Sequence, residues 1–394
     1  MKDDDLARNY HRSGSRSRSS RIRKARRKGL WIFFATMVVV VAAVGAGLSL
    51  LADSESASVV AARTAAADAG RKPIERTAAL APLNLPADDA PHGSAMEWWY
   101  YNGILDAAAG QRYAFHIAVF VANGLVKHTV MHAALIDLQT GKRYASQTRT
   151  GGIPIASSAS GFDFRQDGWQ VAASGPAHLL RVAFEGASLA LDLKDAQPPV
   201  AHRAADSATP GLLDFGSSGI SYYYSRPRIA AQGEISVGGK TQAVSGAVWF
   251  DHQWGEFDVL TLGWNWFALH LADGSDLMLY QLFDMDGRKV MTAGTVSNAK
   301  GSAPLKAGEV ELIPGGTWTS PKTGITYVVE WGVKTPAGLL NVKPYFPDGE
   351  FDSSRTTANI YWEGPVKVTG SSGGEGFLEL SGYDRVKAKP AVRN

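Results

Sequence analysis

The segment WFDHQWG, residues 249–255, places an acid, a histidine and an amide inside a frame of three aromatic rings. Asp251 and His252 are residue types that serve as general acid and general base. Trp249 and Trp254 suit an apolar pocket, where their negative ring faces stabilise a developing cation. A purely structural interpretation also fits. In it, Asp251 makes a hydrogen bond in a turn, His252 is a surface tip and the tryptophans belong to the core.

A second concentration of polar residues lies in DDAPHGSAMEWWYYNG, residues 88–103. It contains four potential metal ligands within ten residues: Asp88, Asp89, His92 and Glu97. We predict no metal site, because these residues lie in a loop rich in proline and glycine and no second histidine follows at a helical spacing. A buried Glu97 requires a partner such as an arginine or a histidine. Its neighbours Trp98 and Trp99 are predicted to contact a ligand.

Three further histidines lie in apolar segments. On a helix, His128 and His132 would share a face and chelate an ion, but VKHTVMHAALI has the pattern of a strand. Four residues of strand span about 13 Å, so one ion does not bridge them. The pair is therefore structural or lines a pocket. His116 and Tyr280 occupy equivalent apolar strands of an internal repeat, where each presents a polar tip to a pocket or fills a satisfied core position.

Composition and missing motifs exclude several chemistries. The 394-residue chain has no cysteine, which excludes disulfides, thiolate zinc sites and a thiol nucleophile. It contains no GxSxG elbow, no P-loop and no GxGxxG after a strand. A serine hydrolase is therefore unsupported by any motif.

The elements that must position the candidate residues are short strands. Apolar runs of five to eleven residues, such as RYAFHIAVF, LMLYQLF and IYWEGPVKV, are separated by turn signals including DG, GG and TG. This pattern is typical of antiparallel all-β sandwiches or barrels. Residues 97–120 can be laid on residues 263–284, since both run from an aromatic strand through a turn into an apolar strand. The repeat predicts two similar β-domains that meet near residues 255–262.

The N-terminal region has a different character. Residues 1–28 hold eleven Lys/Arg and three Asp, so this segment has a charge of about +8. The remaining residues carry about −5, which gives the whole chain its net charge of +3. Residues 29–52 are free of charge and long enough to cross a bilayer core of about 30 Å as a helix. We predict a basic cytoplasmic tail (1–28), a transmembrane signal anchor (29–52) and a flexible linker (53–83), with the folded part outside the cytoplasm.

Alternatives remain for this region. A cleaved signal peptide would release a secreted protein, because alanine-rich sequence follows the apolar run. The pair Arg26–Arg27 allows twin-arginine export, although the residues after it fit that pattern poorly. The basic tail also resembles a nucleic-acid-binding arm, but the adjacent apolar run explains it better. We predict a membrane contact and no nucleic-acid partner.

Several segments in order resemble one protein family: LPADDAPHGSAMEWWYYNG, ALIDLQTGKRY, SYYYSRPRI, AVSGAVWFDHQWG, GWNWFALHLADGSDLMLYQLFD and YWEGPVKVTG. Together they cover roughly residues 84–386 and resemble the AttH/carotenoid 1,2-hydratase family, whose members are described as lipocalin-like or as secreted hydrolases. The resemblance implies two lipocalin-like antiparallel β-barrel domains, residues 84–257 and 258–390.

The resemblance also implies an activity. The hydratase branch adds water to an isolated alkene without a redox cofactor: protonation gives a tertiary cation, which water captures. A His-x-Trp pair and a Tyr-x-Asp pair form its proposed site. His252 and Trp254 match the first pair, whereas Tyr280 keeps the tyrosine of the second and Leu282 stands at the position of the acid. Asp251 or Asp284 is then the candidate replacement.

Two hypotheses follow. In the first, the protein transforms an apolar, isoprenoid or lipid-like molecule by cofactor-free hydration or isomerisation, and His252→Ala abolishes turnover. In the second, it is a non-catalytic carrier of the cell envelope. A third possibility, a hydrolase function, is supported only by the way the members of the family are described. Residues predicted to act in catalysis are Asp251, His252, Tyr280 and Asp284. Residues predicted to bind the ligand are Trp98, Trp99, His116, Trp249, Trp254, Trp264 and Trp266. We predict no metal, and the sequence does not indicate an oligomeric state.

Overall fold

Antiparallel strands make up nearly all of the regular structure. The computed structural model describes residues 81–386 except 124–126, 153–160, 206, 216–217, 258 and 307. The helical elements described over their full length are two short 3₁₀ turns, Ala87–Asp89 and Ala108–Gly110. The β-branched and aromatic runs favour strands, and the Gly- and Asp-containing breaks favour tight turns. The prediction of an all-β fold is confirmed.

Twelve strands form the first sheet. In chain order they are β1 (Met96–Ala107), β2 (Arg112–Asn123), β3 (Lys127–Asp137), β4 (Arg143–Gly151), β5 (Gly161–Gln166), β6 (Trp169–Ser174), β7 (Ala177–Phe184), β8 (Ala187–Asp195), β9 (Val200–Ala201), β10 (Leu212–Asp214), β11 (Gly219–Val237) and β12 (Lys240–Phe257).

The first sheet is a nearly closed barrel. Its strands follow the order β4–β3–β2–β1–β12–β11–β8–β7–β6–β5, and β9 and β10 also pair with β11. The first and last long strands of the sheet, β1 and β12, are direct antiparallel neighbours. At the gap between the edge strands β4 and β5, the side chains of Thr148 and Gln166 lie 3.0 Å apart.

The remaining strands begin at Leu262. They are β13 (Leu262–Leu271), β14 (Asp276–Asp284), β15 (Lys289–Asn298), β16 (Gly301–Pro304), β17 (Glu311–Pro314), β18 (Thr317–Thr319), β19 (Thr326–Val328), β20 (Trp331–Thr335), β21 (Gly338–Pro344), β22 (Glu350–Asp352), β23 (Ile360–Gly370) and β24 (Gly374–Ser381).

Ten of these strands form a half-barrel. Their order is β16–β15–β14–β13–β24–β23–β21–β20–β17, with β22 paired to β23. The hairpin β18–β19 is a separate two-stranded sheet, and its Tyr327 and Val328 pack into the core of the half-barrel. The resemblance predicted two barrels, whereas the second sheet is only half of one, because its edge strands β16 and β17 do not pair with each other.

Buried side chains form three layers. One fills the barrel of the first sheet, one lies inside the curve of the second sheet, and one lies between the two sheets. Successive side chains of a strand point to opposite faces, so β1 and β12 contribute to the barrel interior and to the layer between the sheets in alternation. Both sheets belong to one compact unit, so this middle layer is part of a continuous fold.

The predicted tail, signal anchor and nearly all of the linker lie outside the described residues. Among the described residues, no helix is long and apolar enough to cross a membrane. The chain passes from the first sheet to the second between Phe257 and Leu262. The domain limits 84–257 and 258–390 stay predictions.

Candidate active site between the two sheets

The segment WFDHQWG forms the end of β12, and the pleat of the strand divides its side chains. Asp251 and Gln253 face the space between the two sheets. Phe250 and Trp254 pack in the barrel interior, and His252 points the same way. Asp251 and His252, which the sequence suggested as an acid–base pair, therefore point to opposite faces because they are adjacent on a strand.

A cavity of about 420 Å³ lies between the sheets. Its size falls in the range of pockets that bind small organic ligands. Aromatic and aliphatic side chains dominate its lining, and several acids and hydroxyls face into it. The main lining residues are Trp98, Tyr100, Phe120, Val130, His132, Leu213, Phe215, Tyr223, Asp251, Phe257, Trp264, Trp266, Tyr280, Leu282, Tyr361, Glu363 and Glu379.

The first sheet contributes Asp251 to the cavity. In the ladder, Asp251 lies between Tyr100 of β1 and Ser225 of β11. Its carboxylate accepts hydrogen bonds from the Tyr223 hydroxyl at 2.6 Å, from the Trp249 indole at 2.6 Å and from the Ser225 hydroxyl. Burial raises the pKa of Asp251 to about 7, against the lowering effect of these three donors.

The second sheet contributes two glutamates. Glu363 of β23 and Glu379 of β24 are directly opposite cross-strand neighbours, and Trp266 and Tyr280 continue the row on β13 and β14. Two ionised carboxylates at such a position repel each other. Burial raises the pKa of Glu363 to about 8. Burial and the neighbouring Glu363 raise the pKa of Glu379 well above its ordinary value. Both groups are therefore carboxylic acids at neutral pH.

Glu363 is held by a polar network that joins the two sheets. The Tyr100 hydroxyl, from the first sheet, donates to its carboxyl group. His116 Nδ1 lies 2.7 Å from the same carboxyl group, although off the hydrogen-bond direction. Arg143 donates to His116 Nε2 at 3.1 Å and to the backbone oxygen of Glu363 at 3.0 Å. Burial and the charge of Arg143 keep the pKa of His116 well below its ordinary value, so the imidazole is neutral.

Two indole groups of the second sheet donate further hydrogen bonds at the cavity wall. The Trp264 indole donates to Glu379 at 3.1 Å, and the Trp266 indole donates to the Tyr223 hydroxyl at 2.9 Å. Because Tyr223 in turn donates to Asp251, the Trp266 indole on one sheet is linked to a carboxyl group on the other. Buried networks with satisfied partners fix side-chain positions closely.

Five predicted site residues meet in this cavity: Trp98, Asp251, Trp264, Trp266 and Tyr280. Two more lie directly behind its lining. Trp249 donates to Asp251, and His116 contacts Glu363. Leu282, at the expected position of the family's acid, also lines the cavity.

Three predicted residues lie instead on the barrel side of β1 and β12: Trp99, His252 and Trp254. His252 is fully buried and its Nε2 lies 2.8 Å from Glu97 Oε1. Its Nδ1 lies 3.3 Å from the Tyr224 hydroxyl. Trp99 and Trp254 pack around His252, with ring centroids 4.5 and 4.7 Å from the imidazole. Because of the two-residue period of the strand, these three side chains do not line the cavity, and their roles in catalysis and ligand binding stay predictions.

Asp284 also lies away from the cavity lining. It ends β14, where it accepts hydrogen bonds from the backbone and side chain of Arg288, and these lower its pKa. The ladder between β14 and β15 shifts register between Leu282 and Phe283. The ladder between β13 and β14 is regular and pairs Asp284 with Leu262, so Asp284 keeps the phase of Tyr280 and Leu282. It lies at the end of the strand, where its bonds to Arg288 hold it outside the cavity lining, and its role as the replacement acid stays a prediction.

The sequence did not identify Tyr100, Tyr223, Glu363 or Glu379 as site residues. The sequence does contain a signal for the two glutamates, because each interrupts a run of mostly apolar residues, in IYWEGPV and GFLELS. Such an acid is buried only with a partner or a shifted pKa. Their pairing, however, depends on the register of β23 with β24.

One group of described residues has the composition of a metal site. His92, Glu97 and His252 bring three potential ligand atoms within 4.8 Å of one another. From the sequence, His92 and Glu97 were considered together as potential metal ligands. His252 was not included, because it lies 155 residues from Glu97. This group lies on the barrel side of β12, opposite the cavity.

Comparison with known proteins adds an independent line of evidence. The profile of the family described as AttH-like matches residues 76–383. Kievitone hydratase from Fusarium solani subsp. phaseoli is 26% identical over 175 residues, which span 43% of this chain and 49% of that protein. The match thus covers about half the length of this relative.

Two crystal structures have a similar fold. A protein assigned to AttH from Nitrosomonas europaea has a TM-score of 0.70 and 28% identity, covering 79% of this chain and 99% of its own. Kievitone hydratase from Nectria haematococca has a TM-score of 0.63 and 17% identity, covering 77% of this chain and 94% of its own. At 17% identity, the match to kievitone hydratase from Nectria haematococca shows that the two proteins share a fold.

Proposed function

This chain belongs to the AttH-like family, and from that premise we propose that it hydrates a carbon–carbon double bond of an apolar, isoprenoid- or lipid-like molecule. The reaction takes place in the cavity between the two sheets. It uses the acid–base chemistry of the protein's own side chains. The similarity to kievitone hydratase supports the reaction type, and the cavity supports the class of ligand.

The observation that supports this proposal most is the pair Glu363–Glu379. Protonation of an isolated alkene needs a carboxylic acid that keeps its proton at neutral pH and faces an apolar space. Both glutamates line the cavity, and burial raises the pKa of each. An apolar site that keeps a carboxylic acid protonated is an established way to provide a proton donor. The family's acid is therefore replaced in function by acids from a different part of the second sheet.

The chemical step balances without a further reactant. The carboxylic acid O–H of Glu379 transfers its proton to one alkene carbon, and the π electrons form the new C–H bond. The neighbouring carbon becomes a cation, which the ring faces of Trp264, Trp266 and Tyr280 stabilise. Water then adds to the cation, and a carboxylate takes the proton that the water loses. The net change is the addition of one water molecule.

Asp251 is placed to accept that proton. It faces the cavity from the opposite sheet and is held by three hydrogen-bond donors, which fix the direction of its carboxylate. A base held in this way positions the attacking water on the side of the ligand away from the glutamates. Two carboxyl groups on opposite walls match the two roles of acid and base.

The location of the protein is part of the proposal. The basic tail and the uncharged run 29–52 support a single-pass anchor with the folded part outside the cytoplasm. Protease protection of a C-terminally tagged full chain in intact cells tests this. We expect the tag to be cleaved from outside the cells, whereas complete protection would contradict the assignment.

The hydration itself is tested with the purified full chain and a panel of trisubstituted isoprenoid alkenes in water enriched in ¹⁸O. We expect a tertiary alcohol carrying one ¹⁸O atom. Glu363→Gln removes a carboxyl group from the cavity wall and is expected to reduce the rate strongly. Asp284→Asn, outside the cavity lining, is the matched control. Absence of labelled alcohol from every alkene would contradict the proposal.

A carrier function is the second candidate. It is favoured by Leu282, which makes the cavity more apolar at the position where the family has an acid. A carrier would bind the ligand and return it unchanged. Mass spectrometry of lipid extracted from the purified protein distinguishes the two, because a hydratase given long incubation releases the hydrated product.

A further inference from the structure

A cluster of His92, Glu97 and His252 lies on the barrel side of β12 and takes no part in the proposed reaction. We propose that these three side chains form a binding site for one divalent transition-metal ion of the zinc type. Their ligand atoms are two imidazole nitrogens and one carboxylate oxygen, all within 4.8 Å of one another. Imidazole and carboxylate ligands suit zinc and its neighbours in the first transition series.

The distances leave room for an ion after a small expansion. His92 Nδ1 and His252 Nε2 each lie 2.8 Å from Glu97 Oε1. A tetrahedral zinc ion with bonds of about 2.0–2.2 Å holds its ligand atoms about 3.3 Å apart. Each nitrogen must therefore move by roughly half an ångström. His92 lies on a loop and its side chain is 21% exposed, so it can make this movement.

The second ring nitrogen of each histidine has the kind of hydrogen-bonding partner that metal-binding histidines commonly have. His252 Nδ1 contacts the Tyr224 hydroxyl, which donates to the Asp89 carboxylate. His92 Nε2 lies 3.6 Å from Asp88 Oδ1. Histidines that bind metals commonly use the other ring nitrogen to contact a carboxylate, directly or through another group, and this contact fixes the ring. Both rings here have such a contact, and both direct the remaining nitrogen at Glu97.

The surrounding residues hold the cluster in place. Asp89, next to Asp88 in the 3₁₀ turn Ala87–Asp89, accepts two hydrogen bonds from Arg226 at 2.9 and 2.8 Å. The backbone N–H of His92 donates to Glu97, and the His92 ring stacks on Trp254 with centroids 3.8 Å apart. Three protein ligands leave a fourth tetrahedral position, which water can reach along the exposed edge of His92. The ion would join the loop before β1 to β12.

Metal binding can be separated from the hydration reaction. The purified full chain is freed of metal with a chelator and titrated with Zn²⁺ by calorimetry, and Co²⁺ is used as a spectroscopic probe. We expect one ion per chain with micromolar or tighter affinity, and a visible absorption band of tetrahedral Co²⁺. Zn²⁺ is also expected to raise the Tm, because a ligand that binds the folded state stabilises it.

Substitutions of the proposed ligands test whether Zn²⁺ binds at the cluster of His92, Glu97 and His252. His92→Ala, at a partly exposed position that tolerates truncation, is expected to weaken Zn²⁺ binding by more than about 100-fold, beyond the 10–100-fold typical of losing a ligand's partner. Glu97→Gln tests the carboxylate in the same way. His128→Gln, which removes a histidine elsewhere, is the matched control and should bind normally. Equal Zn²⁺ affinity in the wild type and His92→Ala, or no binding to the wild type, would overturn the proposal.

Discussion

Buried carboxyl groups on the two sides of the strand pair β1–β12 have opposite pKa shifts: Glu97 belongs to β1 and lies on the barrel side, whereas Glu363 and Glu379 reach the cavity side from the second sheet. On the barrel side, burial alone would raise the pKa of Glu97, but hydrogen bonds from His252 and His92 outweigh it and lower the pKa to about 2. On the cavity side, Glu363 and Glu379 face each other, and burial prevails, so their pKa values rise. The cavity acids thus keep protons that they can give to a ligand, whereas the barrel acid is a permanent anion.

This contrast follows from the type of hydrogen-bond donor. Two imidazole nitrogens and the backbone N–H of His92 converge on the Glu97 carboxylate and stabilise its anion, although burial lowers the pKa of His252 below its ordinary value. A tyrosine or indole donor stabilises the anion less, and a second carboxyl group opposes its formation. The strand pair β1–β12 therefore has a structural cluster on its barrel side and the acids of the second sheet across the cavity on its other side.

The largest expected effect is that of Glu379→Gln. It keeps the size of the side chain and its contact with Trp264 but removes the transferable proton, so we expect turnover to fall about 10²–10⁴-fold. The initial rate of alkene hydration, together with the Tm, measures this. A variant that keeps wild-type turnover would show that the cavity acids do not donate the proton.

His252→Ala tests the other face. It leaves the buried carboxylate of Glu97 without one of its two imidazole partners, and we expect a loss of about 3–5 kcal/mol in the free energy of unfolding. Turnover per folded molecule should remain close to that of the wild type, because His252 points away from the cavity. Denaturant titration and rate measurement on the same sample check both. Loss of turnover with unchanged stability would restore His252 to the reaction and break the comparison.

The raised pKa of Glu363 determines whether stability and rate increase or decrease with pH. Burial raises it from 4.5 to about 8, and the groups around it are Tyr100, His116, Arg143 and Glu379. The folded state then binds more protons than the unfolded state between these pH values, so this group's contribution to stability decreases as the pH rises from 4.5 to 8. The pair Glu363–Glu379, to which the donor Glu379 belongs, therefore keeps both of its protons only below about pH 8.

We therefore expect kcat/KM to be highest between about pH 7 and pH 8 and to fall above that range as the cavity acids lose their protons. It should also fall below about pH 7, because burial raises the pKa of Asp251 to about 7 and a protonated Asp251 no longer accepts the proton of the attacking water. A profile measured from pH 6 to pH 10 at constant ionic strength checks this expectation. A rate that keeps rising above pH 8 would mean that the essential group on the wall of the second sheet is a carboxylate rather than a carboxylic acid.

Trp264→Phe is expected to have the smallest effect. It keeps an aromatic face in the cavity but removes the indole N–H that donates to Glu379 at 3.1 Å. The loss of one such hydrogen bond corresponds to a change of about 2–10-fold in rate. Asp284→Asn provides the baseline, because a partly exposed turn residue should change stability by less than about 0.5 kcal/mol. A loss of turnover as large as that expected for Glu379→Gln would contradict this prediction and show that Trp264 contributes more to the reaction than one hydrogen bond.

Much of the fold was predictable because it depends on local patterns. Short apolar runs between turn residues indicate antiparallel strands, and the quoted motifs indicate the family, which the profile match to residues 76–383 confirms. That the second sheet is a half-barrel depends on whether β16 and β17 pair, which no local pattern determines.

The site was predictable only in part. Trp98, Trp264, Trp266 and Tyr280 were identified from ring content and strand position, and the structure places them in one cavity. The separation of Asp251 from His252 also follows from the period of a strand, and was missed because adjacent residues were treated as a pair.

Two other groupings depend on long-range register. Glu363 and Glu379 are brought together only by the ladder of β23 with β24. Glu97 and His252 are 155 residues apart and meet because β1 pairs with β12. Neither register is fixed by residue types near the site, so the sequence alone gave no means to pair these residues.

The central claim is that the ligand reacts between the two sheets and not inside the barrel. A crystal structure of the protein with a bound tertiary isoprenoid alcohol, the expected type of product, tests it most directly. The account predicts density for the alcohol in the cavity, with its hydroxyl within hydrogen-bond distance of Asp251 or of the glutamates 363 and 379. Density inside the barrel of the first sheet, beside His252, would contradict it.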